Sequence, residues 1–234
     1  MGDFHHRYAR QLALPEIGKQ GQELLQKSRV MIVGCGALGS MVAMQLAGAG
    51  VGTLGLADPD TVDISNLQRQ FFFKTQDAGK LKSQLIGERV LELNPEVKLE
   101  IINELIIPKK SVSIFEKYDF IVDATDNPES KKMIGNVCQD LSKPCCIGGV
   151  SGFRGQVMTI LPGDAGFEEY FGEENTGDFL PCSMDGVFGP AASICASIQT
   201  SEVIKFIVKV GELLSGRLLT FNLLTLKFHV FKLS

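Results

Sequence analysis

A chain of 234 residues with 23 Lys and Arg against 27 Asp and Glu has a formal charge of -4 and room for one large domain. Its 44% hydrophobic and 21% charged content excludes a disordered chain, and its mild acidity excludes a broad electrostatic grip on nucleic acid. Any anionic ligand must therefore be met by a few placed cations, because the overall field repels it.

In chain order, MGDFHHRYARQ carries no apolar stretch of signal-peptide type, and a cytoplasmic protein is the expectation. Residues 29–34 read as a buried strand, 37–49 as a helix and 53–57 as a second strand ending at Asp58. A helix over 80–93 stops at Asn94-Pro95, and strand 97–102, helix 108–116, strand 120–122, helix 129–141 and strand 145–147 follow. This alternation predicts an α/β fold: a Rossmann-like, doubly wound, mostly parallel sheet with helices on both faces, extended by C-terminal antiparallel strands. Residues 154–161 read as a strand. Residues 162–188 show no periodicity, and within them Asp164, Glu168, Glu169, Glu173, Glu174 and Asp178 stand without a basic residue. Such a loop is either a solvated surface or a mobile cover over a substrate channel. In the apolar stretch 189–210, Glu202, Lys205 and Lys209 at helical spacing predict one polar face on an amphipathic helix, and no membrane span. Strands over 217–221 and 226–233 close the chain, which reads as a single domain, 1–234, in two halves, 1–150 and 151–234.

The six cysteines (Cys35, Cys138, Cys145, Cys146, Cys182 and Cys195) include no C-x-x-C pair, so reduced and mostly buried thiols are expected. Gly34-Cys35-Gly36-Ala37-Leu38-Gly39 follows a strand and opens a helix, the context of a phosphate loop. Asp58, nineteen positions beyond Gly39, is placed to bond ribose hydroxyls. These features suit an adenine nucleotide without separating NAD from ATP. The cations beside them favour a triphosphate: Arg69, with two phosphate donors, and Lys82, a compact point charge. Asp123-Ala124-Thr125-Asp126-Asn127 ends a strand, where one carboxylate can hold Mg²⁺ or, equally, Asp126 or Asn127 can simply cap the next helix.

RYARQ at residues 7–11, GCGALG, the DPDTVDISNLQRQ run, GKLK, DATDN, GFRGQV and GVFGP together resemble the ThiF/MoeB/HesA adenylyltransferases, relatives of the ubiquitin-activating enzymes, over nearly the whole chain. The resemblance implies ATP- and Mg²⁺-dependent adenylylation of the C-terminal glycine carboxylate of a small ubiquitin-like sulfur carrier, of ThiS or MoaD type. It implies Gly36 near the phosphates, Asp58 at the ribose, Asn66, Arg69 and Lys82 facing the phosphates, and Asp126 on Mg²⁺. Arg10 resembles the arginine that reaches into a neighbouring subunit's ATP, which makes a homodimer part of the site. No membrane and no nucleic-acid partner is expected.

Two departures follow. Many relatives hold zinc in two C-x-x-C pairs that this sequence lacks, so no structural zinc is expected. Cys182 matches a mobile-loop cysteine that some relatives use in sulfur transfer, but no neighbouring base or cation marks it as reactive. Lys80 stands where many relatives have Gln and is given no role. The short chain points to the thiamine branch over the molybdopterin one. The alternatives are a nucleotide-binding but inactive partner subunit, or an adenylyltransferase acting on another carboxylate such as a peptide or in tRNA modification.

Overall fold

The computed structural model describes residues 6–165 and 186–233. Two short helices, α1 (Ala9–Leu12) and α2 (Gly18–Lys27), precede β1 (Arg29–Val33), α3 (Gly39–Ala49) and β2 (Thr53–Ala57). A long connection with two 3₁₀ turns leads to α4 (Lys82–Leu93) and β3 (Lys98–Ile102). Then come α5 (Pro108–Phe115), β4 (Phe120–Asp123), α6 (Pro128–Asp140), β5 (Cys145–Ser151), β6 (Arg154–Ile160), α7 (Gly189–Val208), β7 (Arg217–Asn222) and β8 (Lys227–Lys232).

The eight strands form one sheet in the order β3-β2-β1-β4-β5-β6-β7-β8. From β3 to β5 the pairs are parallel, and from β5 to β8 antiparallel. Side chains alternate along each strand, so β1 sends Val30 and Ile32 to one face and Met31 and Val33 to the other. The first face packs on α2, α3, α4 and α7, the second on α5 and α6. Both faces are covered, which is why the central strands read as continuous apolar runs. The strand order reverses between β1 and β4, and the crevice beyond their carboxyl ends is where such sheets bind ligands.

Most expected boundaries hold within two residues. Differences fall in three places. Strand β5 runs on to Ser151, because its Gly148, Gly149 and Val150 pair with β6 through to Arg154. Helices α1 and α2 were not legible: α2 is mostly polar and buries only Gly21, Gln22 and Leu25. The third is α7, which among the described residues is the one helix long and apolar enough to cross a membrane, and which packs against α2, α3, β5 and β6. Its polar residues do not form the expected solvated face. Glu202 is 1% exposed, and its Oε2 accepts from Thr159 Oγ1 and from Leu214 N, both at 2.7 Å. It clamps the following loop to β6, while Lys209 ends the helix in the left-handed region at φ 59°.

Candidate active site

The loop after β1 shows what each glycine does. Gly34 has φ +94°, and a Cβ there would lie 2.6 Å from the Ala124 carbonyl oxygen. A Cβ on Gly39 would lie 1.7 Å from the Gly34 carbonyl oxygen, so only glycine lets α3 start this close to β1. A Cβ on Gly36 would meet only Gln70 Nε2, at 3.4 Å. The open side of Gly36 faces a cavity of about 220 Å³, lined among others by Asp58, Arg69, Gln70, Lys82 and Asp126. The start of α3 adds amide donors and positive potential to its edge.

Asp58 follows β2 and is 5% exposed. Its Oδ2 accepts from Cys35 N at 2.6 Å and its Oδ1 from Asp60 N at 2.8 Å, tying the glycine loop to β2. Burial pushes this carboxyl above its ordinary range, although those two bonds and the Lys82 charge oppose the shift. Lys82 opens α4 with its Nζ 3.0 Å from Asp60 Oδ2. Arg69 donates from one guanidinium nitrogen to the Ser65 carbonyl at 3.0 Å, which fixes its head beside the cavity. The connection carrying it is braced by Asp77, 2% exposed. Burial alone would raise the Asp77 carboxyl, but bonds from Lys74 N and Lys80 and the charges of Lys80 and Arg89 hold it below its ordinary value. Lys80 thus has a bracing role.

The loop after β4 separates the alternatives left open by the sequence. Asn127 is the helix cap, its side chain accepting from Ser130 N at 2.8 Å. Asp123 is fully buried and paired with Lys131 at 2.8 Å. Asp126 lines the cavity, exposed, and among the described residues neither bonds nor pairs with another group. A free carboxylate at the mouth of a phosphate-sized cleft fits Mg²⁺, which prefers one or two carboxylates with phosphate oxygens and waters.

Other expected residues stand elsewhere. Asn66 does not line the cavity: its Oδ1 accepts from Asp63 N at 3.2 Å, closing a capping box on the turn Ile64–Asn66. Arg10 is exposed on α1, at the far end of α3, where the neighbouring Gln11 donates to the Ala49 carbonyl at 2.9 Å. Eleven helical residues, about 16 Å, separate that end from the glycine loop, so Arg10 does not serve its own cavity. Cys182 and the acidic run from Glu168 to Asp178 lie outside the described residues. The other five cysteines are buried, and burial pushes the Cys35 and Cys146 thiols well above their ordinary value, which makes them inert.

Two residues escaped the sequence reading. Gln70, 5% exposed, lines the cavity with its Nε2 toward Gly36, and its buried Oε1 has no hydrogen-bond partner. Lys131, 3% exposed, donates to Asp123 Oδ2 and to the carbonyls of Thr125 (2.8 Å) and Gly148 (2.6 Å). It underlies the junction between the cavity and a groove of about 880 Å³ over β5 to β8, the two sharing Thr125, Asp126, Gly149 and Val150. Neither residue carried a spacing signal.

The open cradle at Gly36 and the cations Arg69 and Lys82 fit a nucleotide triphosphate, the orphan Gln70 oxygen suits a hydroxyl or amine donor of a ligand and not a phosphate, and Leu105, Ile106 and Met133 supply an apolar wall for a base. Two substitutions separate phosphate approach from folding. Gly36→Ala is expected to leave the melting temperature unchanged and weaken ATP binding about tenfold or more in calorimetry. Gly39→Ala is expected to lower the melting temperature, because its contact is rigid backbone.

The model of the ThiF family matches residues 8–234. The chain belongs to the ThiF family. A probable molybdopterin-synthase adenylyltransferase of Porphyra purpurea is 36% identical over 232 residues, covering 97% of this chain and 60% of that one. The sulfur carrier protein ThiS adenylyltransferase of Escherichia coli K12 is 37% identical over 202 residues, covering 86% of this chain and 80% of that one. A crystal structure of E. coli MccB with MccA-N7isoASN superposes with a TM-score of 0.84 at 26% identity, over 97% of this chain and 72% of that one. This ThiF-family chain spans 60% and 65% of the lengths of two algal relatives that it matches.

Proposed function

We propose that this chain joins ATP to the C-terminal glycine carboxylate of a small ubiquitin-like sulfur carrier, releasing pyrophosphate. The observation that carries this reading is the continuity of the two hollows. A tail lying in the groove over β5 to β8 reaches, past Gly149 and Val150, the cavity that holds Arg69, Lys82 and Asp126. Family membership and relatives named for sulfur carriers and molybdopterin synthase support the same substrate class.

The carboxylate is already a nucleophile and needs no base. Its oxygen forms a bond to the α-phosphorus as the bond from that phosphorus to the bridging oxygen breaks, and the electron pair leaves with pyrophosphate. The chain's work is alignment and charge balance. Lys82 and Arg69 offset the charge building on the phosphates, the Gly36 backbone allows close approach, and Asp58 holds that loop in place. Asp126 would hold Mg²⁺, which shields phosphate charge. The position of Arg10 away from its own cavity supports its use in the cavity of a second copy, in a homodimer.

The relatives divide between thiamine-type and molybdopterin-type names, and the thiamine branch is our reading. A peptide carboxylate is the second reading, favoured by the likeness to MccB, solved with MccA. Exchange of labelled pyrophosphate into ATP, run with ThiS, with MoaD and with a C-terminally amidated control, tests the proposal. Exchange with a free Gly-Gly terminus and none with the amide supports it. Exchange with a short peptide alone moves the reading to the second, and none with any carboxylate means an inactive partner subunit.

A further inference from the structure

The groove has a charge pattern that adenylation itself does not require. Arg154, at the start of β6, pairs with Asn222 of β7, which pairs with Lys227 of β8. Directly paired residues share one face of a sheet. Two residues along, Gln156, Thr220 and His229 make the next row on that face. Arg154, Lys227 and His229 all line the groove and are exposed. Among the described residues, neither Arg154 nor Lys227 has an ion-pair partner. Lys131, the other cation there, is spent on three acceptors, and the one acid of the lining, Asp126, stands at the cavity end. Two cations without an ion-pair partner among the described residues thus stand in one row of the groove, on a chain of net charge -4. Lys227 alone would read as protection of the edge strand β8, but Arg154 lies two strands inside that edge.

We infer that Arg154 and Lys227 form a specificity site for acidic side chains a few residues before the substrate's terminal carboxylate. This rests on the proposed adenylation of such a carboxylate. The row lies one strand spacing beyond β5 at Arg154 and three at Lys227, about 5–14 Å, to which the step from β5 to Asp126 adds, and an extended tail covers about 3.3 Å per residue. Acidic residues four to six positions before the carboxylate meet the basic row when the carboxylate reaches Asp126. The substrate's tail is thereby selected by charge and register as well as by its small terminal residues.

The test uses two fluorescein-labelled decapeptides ending in Gly-Gly, one with Glu at the fifth and sixth positions from the C-terminus, the other with Gln there. Binding to the full chain is read by anisotropy at 50 and 300 mM salt, for the native protein and for the double variant R154E/K227E. The Glu peptide is expected to bind about tenfold tighter than the Gln peptide at low salt, less so at high salt, with the preference lost or reversed in the double variant. ATP binding by calorimetry is expected to stay unchanged in the variant, showing an intact fold. Equal binding of the two peptides, no measurable binding of either, or a preference that survives charge reversal overturns the inference. Pyrophosphate exchange with the same peptides reports separately on the adenylation reading, so either conclusion can fail without the other.

Discussion

Lys82→Ala is expected to lower carrier-dependent ATP–pyrophosphate exchange by about 10²–10³, the scale for removing one preorganised donor from a transition state. The lysine is placed for that role by its own fold. It opens α4, its Leu81 neighbour bridges to Thr61, and its ammonium is held at 3.0 Å by Asp60 over the cavity. Only 7% of the residue is exposed, so the charge acts with little screening. Its ion-pair partner Asp60 is 66% exposed and is not stranded by the substitution, while buried Asp58 loses one favourable charge but keeps its two backbone donors. Loss falling mainly on kcat, with the ATP KM changed less, marks a contact made in the transition state. Near-normal exchange by a folded Lys82→Ala protein would remove Lys82 from the mechanism. Arg69→Ala is expected to behave alike, and a loss confined to KM there would limit it to ground-state binding.

The second large effect is on stability. Lys131→Met leaves Asp123, fully buried at the end of β4, without its cation. Breaking a buried pair by removing one partner costs about 3–5 kcal/mol, a large share of the stability of an ordinary domain. The carbonyls of Thr125 and Gly148 lose a donor too, and the loop bearing Asp126 loses its anchor. The double change Asp123→Asn with Lys131→Met is expected to recover part of the loss at neutral pH. A Lys131→Met cost below about 1 kcal/mol would show that the pair is not what holds this junction.

The parallel half was legible in the residues because β1, β2, β4 and β5 are buried on both faces, which demands uninterrupted apolar runs. The glycine-rich turn after β1 was legible because only glycine satisfies the contacts of Gly34 and Gly39. Helix α2 was not, since Leu24 and Leu25 are the only large apolar residues among its ten, and the rest of its buried face is Gly21 and Gln22. Glu202 misled for a related reason. Helical spacing places a carboxylate on a face but says nothing of a Thr159 hydroxyl and a Leu214 amide brought to that face from elsewhere.

The sequence by itself determined the family and the doubly wound fold, because these depend on residue type and local spacing. The tertiary structure decided the rest of the division of labour. It made Asn127 the cap, Asp123 the buried counter-ion and Asp126 the free carboxylate, three neighbours that the sequence leaves interchangeable. It turned Asn66 to its own turn, set Arg10 at the far end of α3, and brought Arg154 level with Lys227 across three strands. Each of these outcomes depends on partners distant in the chain, and a linear pattern of residues records spacing along the chain, not proximity across it.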